Sequence, residues 1–410
     1  MKNLLVLVLL IGVGDWVYAQ SPAPFPFKLP AEKPDQELST AMKRLYTDYM
    51  GPTPESNELF TEFKYTRLKG FDYHQNDGTI SRRDPSKVIF DNGKYYVWYT
   101  HRQTPLPPQG ADLANDTIPS TDWDLSEIWY ATSRDGFTWE EQGVAIPRPP
   151  KPNVGWRSVS TADILVYKGK YYLYYQGFME ISGKRGDDCP VTASYADSPE
   201  GPWIPCNKII IPNGGENSWD QFSIHDPYPL VYNDKIYLYY KSDYNGKPSL
   251  IRSTGLATAD NPLGPFTKYP LNPVINSGHE TTLFPFKEGI AALVIKDGVE
   301  HNTIQYATNG IDFKIAAHVS LMPIAGGPFV PDAFNSKGNG RGITWGVSHF
   351  TNAGTRTTQH SILARFDCDL SLDLDDPSLK GTRTMFSPEI YFQNGLNNNQ
   401  LKRIQGGTVK

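Results

Sequence analysis

Cysteine is scarce. The 410-residue chain has three, Cys189, Cys206 and Cys368, too few for a disulfide scaffold and at spacings that match no zinc motif. Cys189 and Cys206 could pair in an oxidising compartment; isolated buried thiols are the simpler expectation. Basic runs are lacking too. Lys and Arg total 39 against 44 Asp and Glu, a net charge of −5, which argues against nucleic acid or an anionic membrane surface as the main partner. Beyond the first residues no apolar run approaches the roughly 18 residues a membrane-spanning helix needs. What abounds is aromatic and turn chemistry: 24 Tyr, 9 Trp, 35 Gly and 34 Pro. Disordered chains lack that aromatic content, and helical bundles lack that density of Gly and Pro. The balance suits a soluble, turn-rich β protein.

The first residues read as a leader. Lys2 gives a positive start, residues 4–13 are apolar, and Val17-Tyr18-Ala19 offers small residues for cleavage, so residues 1–19 are expected to be a signal peptide. No cysteine lies at that point to carry a lipid anchor. Export is expected, to the periplasm or, alternatively, outside the cell. Residues 20–36 are Pro-rich and should be extended. Ser39 or Thr40 can then cap a helix in which Ala41, Met42, Leu45, Tyr46 and Tyr49 recur at helical spacing, with Gly51-Pro52 as its stop and a second short helix over 55–63. The helix either packs on its own domain or reaches a second subunit. The expected organisation is an extended segment and helical arm over 20–66, a repeat domain over 67–375, and a segment of uncertain role over 376–410.

From residue 80 one pattern returns five times: a polar or acidic residue, a short apolar run, a turn, and a second apolar run. The copies open at Arg83-Asp84-Pro85, Ser160-Thr161, His225-Asp226-Pro227, His279-Glu280 and Pro331-Asp332. The DNGK, KGK and NDK links between apolar runs are hairpin signals. Most copies add a third run, such as IWYATSRDGFTW, that turns into a fourth. Five units of about four short antiparallel strands predict an all-β fold, a five-bladed β-propeller preceded by a short helical arm.

The starts of the units carry chemistry. Asp84, Asp226, Glu280 and Asp332 hold equivalent positions, with Thr161 in the second unit and Asp163 two residues on. If the first strand of each blade is innermost, these side chains ring one mouth of the central axis. Burying unpaired like charges together is costly, so they call for a cation, a hydroxyl-rich substrate or a shared proton. Asp332 has a structural alternative, as a blade-closure residue. Gln176 and Trp129 join Thr161 as candidate sugar-binding residues. No spacing demands a direct metal site; a hydrated cation in the central channel is possible, and the chemistry requires no cofactor.

Several long strings, ELFTEFKYTRLKGFDYHQNDGTISRRDPSKV, YYLYYQGFMEISGKRGDDCPV, SIHDPYPLVY and NSGHETTLFPF, resemble glycoside hydrolase family 117, over about residues 37–370. The resemblance implies an inverting, exo-acting α-1,3-(3,6-anhydro)-L-galactosidase, or neoagarobiose hydrolase. Asp84 would be the general base, His279 the general acid, and Asp226 and Glu280 the other acidic residues. It also implies a homodimer with exchanged N-terminal helices, and agar-derived oligosaccharides as substrate. Chemically, a guanidinium from Arg82 or Arg83 would keep Asp84 ionised. His279 must be protonated to act as an acid, and neighbouring Asp226 and Glu280 are expected to raise its pKa above the usual value of about 6.5. Adjacent residues on a regular strand face opposite ways, so His279 should lie outside one, in the loop at 276–278. Otherwise His279 would hold Glu280, and Glu280 would be the acid. Two further readings remain open: a related propeller glycosidase on another plant or algal oligosaccharide, and a non-catalytic carbohydrate-binding paralogue.

Overall fold

A computed structural model of the chain describes residues 23–47, 58–184, 187–243, 252–331, 334, 340–355 and 357–380. The proposed leader, Asp332 and most of the C-terminal segment lie outside these residues. The described chain is all-β with almost no helix.

The first three repeats each form an antiparallel sheet of their own. Repeat one comprises Ile80–Arg83, Ile89–Asp91, Lys94–Gln103, Glu127–Ser133 and Trp139–Ile146; repeat two Ser158–Tyr167, Lys170–Phe178, Val191–Ala196 and Ile204–Pro205; repeat three Ser223–Tyr232, Lys235–Asp243, Thr254–Ala259 and Thr267–Lys268. Repeat four, Thr282–Lys287, Gly289–Val294, Thr303–Ala307 and Lys314–His318, is joined to repeat five where Phe286 pairs with Arg341 and Lys287 with Gly340. Repeat five consists of Ile324–Pro328, Gly340–Ala353 and His360–Ser371. Its fourth strand, Lys64–Arg67, comes from ahead of repeat one and pairs antiparallel with residues 364–367. That is why the fifth sequence copy looks short. The first strand of repeat five also begins earlier than Pro331, the residue from which the sequence pattern counted it.

The unbroken apolar second strands are explained by burial on both faces. Side chains alternate along a strand, and in repeat one Tyr96 and Trp98 join a core with Ile164, Leu173 and Tyr175 of repeat two. Val97 and Tyr99 point the other way, into a core with Trp345, Val347 and Leu363 of repeat five. Leu165 and Tyr174 of repeat two meet Ile224, Leu238 and Tyr240 of repeat three. Leu230 and Tyr239 of repeat three share a core with Phe284 and Leu293 of repeat four and Phe366 of repeat five. The last repeat thus packs against the first.

The helix is shorter than its sequence pattern suggests, spanning Thr40–Arg44, with Ser39 as the cap whose hydroxyl accepts from Met42 N. It lies on its own chain. Asn276 Nδ2 donates to Ala41 O, and Arg44 binds Glu300 and the carbonyl of Phe313. The second expected helix does not extend over residues 60–63, which are non-helical and buried. The Glu62 amide bonds Leu379 O, and Thr61 Oγ1 accepts from Asp369 N, so this segment is committed to lacing the chain's two ends together.

Candidate active site

Each repeat turns its backbone left-handed at the same place, within its first strand or just ahead of it. Asp84, Thr161, Asp226, Glu280 and Ala325 all have φ between 45° and 59°, a left-handed conformation uncommon for residues other than glycine. In repeats two, three and five the pairing register slips here, between Ser160 and Asp163, His225 and Tyr228, and Ile324 and Gly327. A bulge of this kind re-aims a side chain. The fifth equivalent position is therefore Ala325; Asp332 lies outside the described residues.

The four carboxylate-or-threonine members of this set converge on one cavity of about 540 Å³, lined also by Arg83, Gln176 and His279. That volume falls within the roughly 300–1,000 Å³ typical of small-ligand sites. Arg83 organises it. Its Nε donates to Asp84 Oδ2 at 2.9 Å and its Nη2 to Glu280 Oε1 at 3.2 Å. Arg82, the other arginine considered, points away and pairs with Glu141. Asp84 Oδ2 also accepts from Thr100 Oγ1 at 3.2 Å and Thr161 Oγ1 at 3.3 Å. Burial alone would raise the Asp84 pKa, but the Arg83 guanidinium outweighs it and holds the carboxyl well below its usual range. Asp84 is therefore ionised, the state in which a carboxyl can accept a proton, and its Oδ1 is buried without a hydrogen bond, with His349 Nδ1 3.2 Å away.

Glu280 is treated similarly. Burial pushes it up, His279 most and Arg83 less pull it down against the repulsion of Asp84, and it settles at about 2. A carboxyl at that value is a poor resting proton donor. Asp226 lies 2.7 Å from the Lys241 ammonium, and its amide donates to Gln176 Oε1 at 3.1 Å.

His279 does leave strand regularity: the strand starts only at Thr282, so His279 and Glu280 both line the cavity. Gly278, with φ +103°, bonds Asp297 O through its amide, and the His279 amide bonds Ile295 O. The ring is oriented through Nδ1, which lies 2.5 Å from Arg252 Nη1 and 2.9 Å from Asp297 Oδ2, the two partners being 2.8 Å apart. Nε2 is then the nitrogen that faces Glu280 Oε1, at 3.7 Å. The His279 pKa moves opposite to expectation. Burial, then Lys241 and Arg252, lower it, and the upward pull of Glu280 and Asp297 does not compensate.

Trp129 lies outside the cavity. It stacks on His101 at 4.0 Å between ring centroids and packs against the core between repeats one and five, because its strand sits outside the innermost pair. The cavity's tryptophan is Trp123, which the Arg83 guanidinium overlies at 4.8 Å and whose Nε1 donates to Ser182. Sequence reasoning also missed Lys241, Thr100 and His349. Thr100 and Lys241 had a signal: like Gln176, each is the polar residue ending the aromatic run of a second strand. Asp163 is bound to the buried Lys87 and is not a cavity carboxylate. All three cysteines are free.

Asp84, Glu280 and His349 each place one ligand-type atom within 4.8 Å of the others. Asp84 Oδ1, Glu280 Oε2 and His349 Nε2 are buried there without hydrogen-bond partners, which suits an ordered water or a hydrated cation. Arg83 already brings positive charge to both carboxylates.

No family model and no curated protein matches the chain. Solved structures do. The thermostable family-43 glycoside hydrolase is 16% identical, with 79% of this chain and 97% of that chain covered and a TM-score of 0.50, a likeness of fold. Zg3597, a family 117 glycoside hydrolase produced by the marine bacterium Zobellia galactanivorans, is 62% identical, with 83% of this chain and 100% of that chain covered and a TM-score of 0.78. With its bulged carboxylates gathered around one cavity and that degree of identity over the whole of the relative, the chain belongs to glycoside hydrolase family 117.

Proposed function

We propose that the protein is an exo-acting, inverting glycosidase that releases 3,6-anhydro-L-galactose from the non-reducing end of neoagarobiose and neoagaro-oligosaccharides. The observation that carries the reading is the convergence of Asp84, Glu280 and His279 on one cavity, with Arg83 bonded to both carboxylates.

Inversion needs one group to activate water and a second, on the other face of the sugar, to protonate the leaving oxygen. Asp84 takes the first role. Its Oδ2 is committed to Arg83, Thr100 and Thr161, which leaves Oδ1 to accept a water proton. His279 takes the second. Asp297 fixes the ring through Nδ1 and stabilises the imidazolium, and Nε2 delivers the proton. Glu280, ionised beside Nε2, favours the protonated ring, and Asp226 with Lys241 is available for sugar hydroxyls. Thr161 and Gln176 line the same cavity. Any cation would sit at Asp84, Glu280 and His349 through water, adding positive charge and taking no proton.

The five bulged repeats, packed last against first, are in this reading the five blades of a propeller. Export and an N-terminally exchanged dimer belong to the same proposal; exchange would have the helix capped by Ser39 make between two chains the contacts it makes here within one. Incubation with neoagarobiose and neoagarotetraose, followed by product chromatography, tests the substrate. Free anhydrogalactose is expected, and its absence would remove this reading in favour of another algal or plant oligosaccharide.

A further inference from the structure

The positive φ at the bulges is a strained state, costing on the order of 1–3 kcal/mol per residue and persisting only where surroundings over-determine it. The structure shows what holds it in three of the five places. The Thr161 amide donates to Thr100 Oγ1 at 2.8 Å, the Asp226 amide to Gln176 Oε1 at 3.1 Å, and the Asp84 amide to His349 Nδ1 at 2.9 Å.

These three acceptors are equivalent. In each repeat they pair across the sheet with the residue just before the bulge: Thr100 with Arg83, Gln176 with Ser160, His349 with Ile324. Each therefore sits beside its own repeat's bulge and caps the next one, repeat one capping two, two capping three, and five capping one. The corresponding residue of repeat three is Lys241, opposite His225. An ammonium has three donors and no acceptor, so it cannot cap Glu280 and instead meets Asp226.

We propose that Thr100, Gln176 and His349 are positioning residues, each taking the bulge amide of the following repeat and so fixing where its cavity side chain points. Thr100 does this twice over. The hydroxyl that accepts from Thr161 N also donates to Asp84 Oδ2, so one buried atom sets the base of repeat one relative to the threonine of repeat two. Thr100 is fully buried and does not line the cavity, hence it acts only through its neighbours. The link to rate rests on Asp84 being the base.

The test uses the whole chain with Thr100→Val, which keeps the shape and loses the hydroxyl, and Thr100→Ser, which keeps it. Crystal structures and hydrolysis kinetics on neoagarobiose are compared. Thr100→Val is expected to move Thr161 or turn the Asp84 carboxylate, and to lower kcat about 10-fold or more with KM changed far less, since small misplacements of reacting groups are costly. Thr100→Ser is expected to keep both geometry and rate. A valine variant with Thr161 and Asp84 unmoved, or a serine variant as displaced as the valine one, overturns the proposal. Should Thr100→Val fail to fold, Gln176→Met asks the same of Asp226: displacement supports the caps, an unmoved Asp226 overturns them. If the wild-type chain leaves neoagarobiose intact, the substrate reading falls, and the crystal structures still decide the caps.

Discussion

Two buried ion clusters lie only a few residues apart along the first strands, and they are opposites. Lys87 and Asp163 are sealed into the interior, bound to each other, with the ammonium 3.9 Å from the centre of the Tyr228 ring. Burial lowers Lys87 to about 8 and raises Asp163, so both are pushed toward their neutral forms. Asp84 and Glu280 are just as buried, yet Arg83 pulls Asp84 down and His279, more than Arg83, pulls Glu280 down, and each keeps one oxygen unpartnered beside a cavity. A buried carboxylate by itself thus identifies nothing. What separates the candidate site from a structural ion pair is unspent hydrogen-bonding capacity held in the charged form.

The comparison breaks most readily at Asp84. Asp84→Asn keeps the shape but cannot accept a proton, so hydrolysis should fall by the roughly 100- to 10,000-fold typical of lost acid–base help, with the thermal midpoint far less affected. A variant retaining near-wild-type turnover would move the base elsewhere.

His279→Ala should be nearly as damaging on the natural substrate and milder on an aryl glycoside, whose leaving group needs little protonation. Equal damage on both substrates, with the leaving-group dependence appearing in Glu280→Gln, would make Glu280 the acid. The pH profile adds a sign. His279 must be protonated, and its pKa lies below 6.5, so kcat/KM should fall as pH rises through a value on the acid side of 6.5. A rate that holds until well above neutrality would contradict this.

Lys87→Met should do the reverse of Asp84→Asn. Breaking a buried pair strands one charge, a loss of about 3–5 kcal/mol, visible in denaturant unfolding, while turnover per folded molecule stays close to wild type. Selective loss of kcat without loss of stability would place Lys87 in the chemistry.

Acid should find the cavity carboxyls through stability as well. A carboxyl lowered from 4.5 to about 2 contributes stability above its unfolded pKa and loses it as pH falls from about 4.5 toward 2. The difference in thermal midpoint between wild type and Glu280→Gln should shrink as pH falls across that window.

Much of this was legible in the sequence, because five copies of one pattern advertise equivalent positions. Asp84, Thr161, Asp226 and Glu280 fell out of the alignment of the copies, and Gln176 out of the end of an aromatic run. The rest depended on register. His349 reaches Asp84 from a distant strand, and nothing in the residues around it says so. Ala325 carries no polar group to mark it, so Asp332 looked like the fifth member. Trp129 and Trp123 are alike in composition terms; only the path of the 104–126 segment brings Trp123 over Arg83 and leaves Trp129 against a core. The His279 pKa moved down because a sequence names neighbours but not burial or the reach of Lys241.

The central claim is that Asp84 activates water directly and forms no bond to sugar. Hydrolysis of neoagarobiose in water containing methanol tests it. A retaining enzyme partitions its covalent intermediate between the two acceptors and yields a methyl glycoside of the original α configuration. The account predicts free 3,6-anhydro-L-galactose with no such glycoside, and the same single product, formed far more slowly, from Asp84→Asn. An α-methyl glycoside would show a carboxylate nucleophile and contradict it.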